Sequence, residues 1–130
     1  RDVPTAVATA ADYLEGGTWA LFLRLPGVSV LNVGSANLIR EELHGRSCNV
    51  LLASIGGWSE QYLRDLLDCV AADVLVPTHY DDYLHCPAEK PGGEAALAGF
   101  RQALARIAPQ QRLCVPASLQ PVALPITSRE

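Results

Sequence analysis

The densest group of chemically versatile side chains in the sequence lies in residues 77–85. This segment holds two of the three histidines, His79 and His85, and the carboxylates of Asp81 and Asp82. Imidazole and carboxylate groups are ligands that zinc and similar cations prefer, and a metal site needs three or four of them. One loop rarely supplies a full set, so a solvated polar loop whose His79 bonds a backbone carbonyl explains the same residues. The spacing alone leaves both interpretations open.

Two glycine-containing segments, 34–37 and 56–59, are the other candidates for chemistry. Each falls where a strand is expected to turn into a helix, so its backbone amides could hold an anion. Tight turns and helix caps require the same residue types, so a purely structural role is equally consistent. The sequence lacks a dinucleotide-binding fingerprint and the lysine of a phosphate-binding loop. It also lacks the Gly-x-Ser-x-Gly elbow of a hydrolase nucleophile, so covalent catalysis is not indicated.

Hydrophobic periodicity predicts the elements that would position these segments. Strands are expected at 18–25, 28–33, 49–54, 74–77, 112–115 and 121–124. Helices are expected between Gly34 and Gly45, from a capping Ser59 onward with Val70 in the apolar stripe, and across 97–107. This alternation predicts an α/β fold with helices on one or both sheet faces, and chemistry at the carboxyl ends of the strands.

The composition fits one globular domain: 130 residues, 49% hydrophobic, 18% charged, with a net charge of −4. Ten basic residues against 14 acidic ones argue against a nucleic-acid partner. The apolar runs are far shorter than the roughly 20 residues that a bilayer requires, which argues against a membrane span. Four cysteines without a Cys-x-x-Cys pair predict reduced thiols in a cytoplasmic protein.

The boundaries of the chain carry two further expectations. It begins at Arg1 and contains no methionine, which predicts a piece of a longer polypeptide. A mean hydropathy of +0.15 indicates more apolar surface than one layer can hide, so a missing layer is expected, from the same polypeptide or a second subunit. Residues 1–130 would form a single domain or half-domain, with an N-terminal loop at 1–17, the sheet and helices at 18–125 and a tail at 126–130.

Four segments in this order and spacing carry a family resemblance: 16–18, 33–37, 51–57 and 76–82, the last reading Val-Pro-Thr-His-Tyr-Asp-Asp. Over residues 14–125 the chain resembles the C-terminal half of metallo-β-lactamase-fold metallohydrolases. The resemblance implies half of an αββα sandwich, a mixed sheet with helices packed on one face. It also implies that His79 matches the family's final histidine ligand for zinc or another divalent metal.

The sequence departs from the family pattern in two respects. It contains no His-x-His-x-Asp-His cluster, so the resemblance implies that an N-terminal half or a second subunit supplies the remaining ligands. Ser35 follows Gly34 where the family usually has a bridging aspartate, which implies one metal or an altered second site. Ser35, Asp81 and Asp82 then become groups that orient His79 or contact substrate, and no residue is assigned a catalytic role.

The resemblance implies a hydrolase whose metal activates water for attack on an ester, lactone, amide or phosphodiester of a small molecule. The isolated chain is expected to be inactive. Two alternatives from other classes stay open. One is a non-catalytic module that binds an anionic small molecule at 34–37 and 56–59, and the other is a metal-free interaction or oligomerisation domain.

Overall fold

The computed structural model describes residues 19–35, 38–80, 94–117 and 120–126. The strands in these ranges are β1 (Leu21–Leu25), β2 (Val28–Asn32), β3 (Arg46–Ser54), β4 (Val70–Thr78) and β5 (Arg112–Leu113). The helices are α1 (Arg40–Leu43), α2 (Glu60–Cys69) and α3 (Glu94–Ile107). The predicted N-terminal loop at 1–17 lies outside the described residues, as does the tail beyond Ile126.

One five-stranded sheet organises the fold, with the strand order β1-β2-β3-β4-β5. β1 and β2 are antiparallel and meet at a turn in which Gly27 has a φ of +75°, a conformation that glycine adopts without strain. β2, β3, β4 and β5 run parallel. The α/β class and the mixed sheet are therefore confirmed.

All three helices contribute to one core on a single face of the sheet. The central strands supply Leu31, Leu51 and Leu75, which are almost completely buried. Their cover comes from Leu63 and Leu66 of α2, Phe100 and Leu104 of α3, and Leu43 of α1. We call the side that carries Leu31, Leu51 and Leu75 the helix-covered face.

The other side carries alternate residues of the same strands, because side chains along a strand point to opposite faces in turn. Val50, Val74 and Val76 form a small buried cluster here, against which Val30 and Leu52 pack. Leu124 of the C-terminal segment also packs against it. We call this side the open face, because its outer leucines on β1, Leu21, Leu23 and Leu25, are 55%, 51% and 56% exposed.

The predicted starts of β3 and β4 are wrong. β3 begins at Arg46 instead of residue 49, and β4 begins at Val70 instead of residue 74. Arg46 pairs with Val70, so the sheet extends over polar positions that show no strand pattern on their own. Val70, expected in the stripe of α2, directly follows that helix as the first residue of β4 and is buried.

The predicted strand at 121–124 is also wrong, because no strand is assigned in the described residues 120–126. Pro121 and Pro125 have no N–H to donate to a ladder, so this segment reaches the sheet through Leu124 instead. β5 is shorter than expected and covers only Arg112–Leu113.

The helix signals were more informative. The Ser59 side chain accepts a hydrogen bond from the backbone N–H of Tyr62 at 3.1 Å, which confirms the predicted cap of α2. α1 has only four residues and ends before Gly45, whose φ is +77°.

None of the helices in the described ranges is long and apolar enough to cross a membrane. Cys69 and Cys114 are free thiols.

Candidate functional site

A cleft of about 260 Å³ opens at the carboxyl ends of β2 and β3. Its lining comes from the turn after β2, from the end of β3 and from the start of α2: Gly34, Ser35, Leu38, Ser54, Gly56, Gly57, Trp58 and Tyr62. The two glycine turns were predicted as separate candidate anion-binding sites, and the structure places both in this one cleft. Parallel strands bring this about because their carboxyl ends share one sheet edge.

His79 stands next to this cleft, immediately after the last residue of β4. Its Nδ1 atom lies 3.1 Å from the Oγ of Ser54, the last residue of β3 and part of the cleft wall. The contact follows from the register, in which Ser54 pairs with Thr78. The backbone N–H of Ile55 donates to the Thr78 carbonyl at 2.8 Å and continues the link between the two strands past their ends.

The backbone of His79 adopts a φ of +55°, the left-handed region that residues other than glycine rarely enter. Such a conformation persists only where the surroundings hold it in place. Here the surroundings include Ser54 on the ring and Gly56 against the backbone. A Cβ on Gly56 would lie 2.8 Å from the His79 carbonyl oxygen and 3.1 Å from Nδ1, so only glycine fits.

Two aromatic residues form the apolar part of the cleft wall. Trp58 contacts Phe100 of α3 edge to face, with ring centroids 5.4 Å apart, which fixes the indole against the core. Tyr62 is partly buried, and this burial raises the pKa of its phenol above the ordinary value of 10.0. Its hydroxyl therefore stays neutral beyond the pH at which an exposed tyrosine ionises.

The predicted site residues have different positions in the structure. His79 and Ser35 lie at the same sheet edge, and Ser35 is exposed in the lining of the cleft. Asp81, Asp82 and His85 lie outside the described residues.

A metal site requires three or four donor groups. No group of three or more His, Cys, Asp or Glu that could hold a metal ion occurs within residues 19–35, 38–80, 94–117 and 120–126. The imidazole of His79 fits one ligand position of such a site, and the remaining ligands would have to come from elsewhere.

Sequence reasoning missed Ser54 as a site residue, because Ser54 was interpreted only as a strand end. Gly56 belonged to the candidate anion-binding turn 56–59, but its close approach to His79 was not foreseen. A polar residue closing an otherwise apolar buried strand is a usable signal, because a hydroxyl there faces the groups that follow the neighbouring parallel strand.

A second polar cluster lies toward the opposite end of the sheet. Asn49 of β3 is fully buried, and its Oδ1 accepts hydrogen bonds from the N–H and the hydroxyl of Ser29 at 2.8 and 3.1 Å. Its Nδ2 donates to Asp73 of β4 at 2.8 Å. These bonds connect β2, β3 and β4 through one side chain, so the cluster has a structural explanation.

Ion pairs fix the helices to one another. Arg40 of α1 pairs with Asp65 and Asp68 of α2, and the hydrogen bond to Asp68 is the main cause that raises the pKa of Arg40. Arg106 of α3 pairs with Glu60 of α2.

Comparison of the chain with protein-family models, with curated proteins and with solved structures gives no match.

Proposed function

We propose that this chain is one layer of a metal-dependent hydrolase and that it supplies His79 as one ligand of the metal. The observation that carries the proposal is the placement of His79, held in a left-handed conformation by Ser54 and Gly56 beside the cleft. Strained backbone at the carboxyl edge of a parallel sheet is typical of functional sites. The family resemblance of residues 76–82 assigns the same histidine.

The open face supports the layered part of the proposal. Parallel sheets are almost always covered on both faces, and β2, β3, β4 and β5 are parallel. A large apolar face left open marks an interaction surface. Leu21, Leu23 and Leu25 continue the apolar surface around Val30 and Leu52, although each is more than half exposed. We propose that a second sheet covers this face, contributed by an N-terminal half or by another subunit.

The residues of this chain then have distinct tasks. His79 contributes one imidazole to zinc or another divalent metal, and a bound metal of this kind lowers the pKa of a coordinated water toward neutrality. Ser35 lies where a small-molecule substrate would enter the cleft. Asp81 and Asp82 remain proposed contacts of His79 or of the substrate, and a cytoplasmic location remains a prediction.

The test compares the metal content of the native protein with that of two histidine variants. The protein is purified under native conditions from its source, and its intact mass under denaturing conditions shows whether the polypeptide extends beyond 13.9 kDa. His79→Asn removes the imidazole, and asparagine is among the residues that tolerate a left-handed backbone. His44→Asn is the matched control, because His44 is an exposed histidine at the end of α1.

We expect His79→Asn to lose most of the bound metal and the metal-dependent hydrolysis of ester or phosphodiester probes, and His44→Asn to keep both. Equal metal content and equal hydrolysis in wild type and His79→Asn would refute the proposal. Absence of bound metal and of hydrolysis from the wild type as well would leave the anion-binding module or the interaction domain, for which His79 has no required role.

One observation favours the anion-binding alternative, namely that both glycine turns line the same cleft. Inorganic phosphate added in the presence of a chelator separates the two functions. A phosphate-dependent rise in melting temperature without metal, lost on substitution of Ser35 by Asp, would favour the binding module.

A further inference from the structure

We infer that Ser54 accepts a hydrogen bond from the Nδ1–H of His79 and thereby selects the imidazole tautomer whose lone pair is on Nε2. This inference rests on the proposed function for its purpose, since an imidazole binds a cation through the nitrogen that carries no proton. It assigns to Ser54 the role of a positioning residue.

The geometry places a defined partner beside Nδ1 of the ring. Ser54 is only 7% exposed, and its Oγ lies 3.1 Å from Nδ1, within the normal range for a hydrogen bond. The register of β3 and β4 fixes the two backbones, and a Cβ at Gly56 would lie 3.1 Å from Nδ1, so only glycine leaves the ring this position. The hydroxyl of Ser54 is therefore a lasting neighbour of Nδ1.

A serine hydroxyl can either donate or accept a hydrogen bond, and we infer that here it accepts. If the hydroxyl donates, Nδ1 carries the lone pair and Nε2 carries the proton, as in most histidines in water. If the hydroxyl accepts, the proton is on Nδ1 and Nε2 can bind a cation. Ligating histidines in proteins almost always donate the other ring N–H to an acceptor, which fixes the tautomer. Ser54 is placed as that acceptor.

Nitrogen NMR of the 130-residue chain measures the tautomer directly and requires no metal. Long-range proton–nitrogen spectra are recorded at an alkaline pH, about two units above the usual histidine pKa of about 6.5, so that imidazoles are neutral. The His79 signals are identified by their loss in His79→Asn. The protonated and unprotonated ring nitrogens then have clearly separate chemical shifts.

We expect wild-type His79 to carry its proton on Nδ1. Ser54→Ala should return the ring to the Nε2–H form, and Ser54→Thr, which restores a hydroxyl on a β-branched strand residue, should recover the Nδ1–H form. His44 should show the Nε2–H form in every variant. A wild-type His79 with the proton on Nε2 would overturn the inference, and this result does not depend on whether Ser54→Ala folds.

The metal-loaded native protein supplies the second readout. Loss of the orienting acceptor in Ser54→Ala should weaken metal affinity about 10- to 100-fold, and Ser54→Thr should restore it. The two proposals fail in different ways. An Nδ1–H tautomer together with unchanged metal content in His79→Asn would refute the metal site only, and an Nε2–H tautomer together with metal loss in His79→Asn would refute the role of Ser54 only.

Discussion

The two faces of the sheet are built from the same strands and from similar residues, yet they differ in exposure. On the helix-covered face Leu51 and Leu75 have no exposed surface, whereas Leu21 and Leu25 on the open face are 55% and 56% exposed. Leucine content does not distinguish the faces, because both are rich in leucine and valine. The difference shows that an apolar strand pattern predicts which sheet face is suited to burial. Whether that face is in fact buried depends on the layer that covers it.

The largest effect is expected from Leu51→Ala on the helix-covered face. Leu51 is completely buried beneath α2 and α3, so the truncation leaves a cavity as well as losing apolar burial. We expect the free energy of unfolding to fall by about 2–5 kcal/mol, measured by urea denaturation of the isolated chain.

Leu23→Ala makes the same chemical change on the open face and is the matched control. It should alter the free energy of unfolding by less than about 0.5 kcal/mol, because Leu23 is 51% exposed. A cost similar to that of Leu51→Ala would break the comparison, since it would mean that the open face is covered in solution.

A medium effect on the free energy of unfolding is expected from Asn49→Ala. This variant tests whether a buried polar residue can stabilise the fold as much as the leucines around it. The change removes the amide that donates to Asp73 and the oxygen that accepts from Ser29. We expect a loss of about 1–3 kcal/mol in urea denaturation, because buried polar groups lose their partner.

Ser47→Ala, an exposed change in the same strand, is the control for Asn49→Ala and should be close to neutral. Equal effects of the two variants would show that the Ser29–Asn49–Asp73 connection contributes little.

A smaller effect on stability, with a clear effect on the surface, is expected from combining Leu21→Ser, Leu23→Ser and Leu25→Ser. These changes remove exposed apolar area, so the isolated chain should bind less of a hydrophobic dye such as ANS and stay monomeric at higher concentration. In the assembled native protein the same variant should prevent the second layer from binding. Unchanged dye binding would argue against an open apolar face.

The smallest effect concerns Tyr62, on the helix-covered side. Burial raises the pKa of its phenol, so the neutral form is favoured in the folded protein. The corresponding contribution to stability is complete below the ordinary pKa of about 10 and is lost as pH rises through the higher folded-state pKa. Spectrophotometric titration of phenolate should show one late-ionising tyrosine that is absent in Tyr62→Phe, and identical titration curves would contradict the assignment.

The sequence predicted the parts of this fold that depend on local pattern. The α/β class, the turn at Gly27 and the cap at Ser59 were all correct, because periodicity, turn chemistry and capping each operate within a few residues. The starts of β3 and β4 were wrong because Arg46 and Val70 become strand residues only by pairing with one another. Local propensity contains no signal for that pairing.

The candidate site also combines features that the local sequence predicts with features that depend on strand pairing. His79 was singled out from residue type and from its position after a strand. Its left-handed backbone and its contact with Ser54 depend on the register of two strands and on the space at Gly56, so neither could be predicted from the sequence. Asp81 and Asp82 lie outside the described residues, so their roles stay predictions.

The short path between Ser54 and His79 has a consequence for how the chain folds. The two residues are 25 positions apart, and the segment between them holds α2 followed by β4. Together with β3, which ends at Ser54, it forms one strand–helix–strand unit. Contacts of low sequence separation form early, because little loop entropy opposes them. The His79 edge can therefore take shape within β3, α2 and β4 before β1 joins the sheet, and early exchange protection of the Ile55 amide would report it.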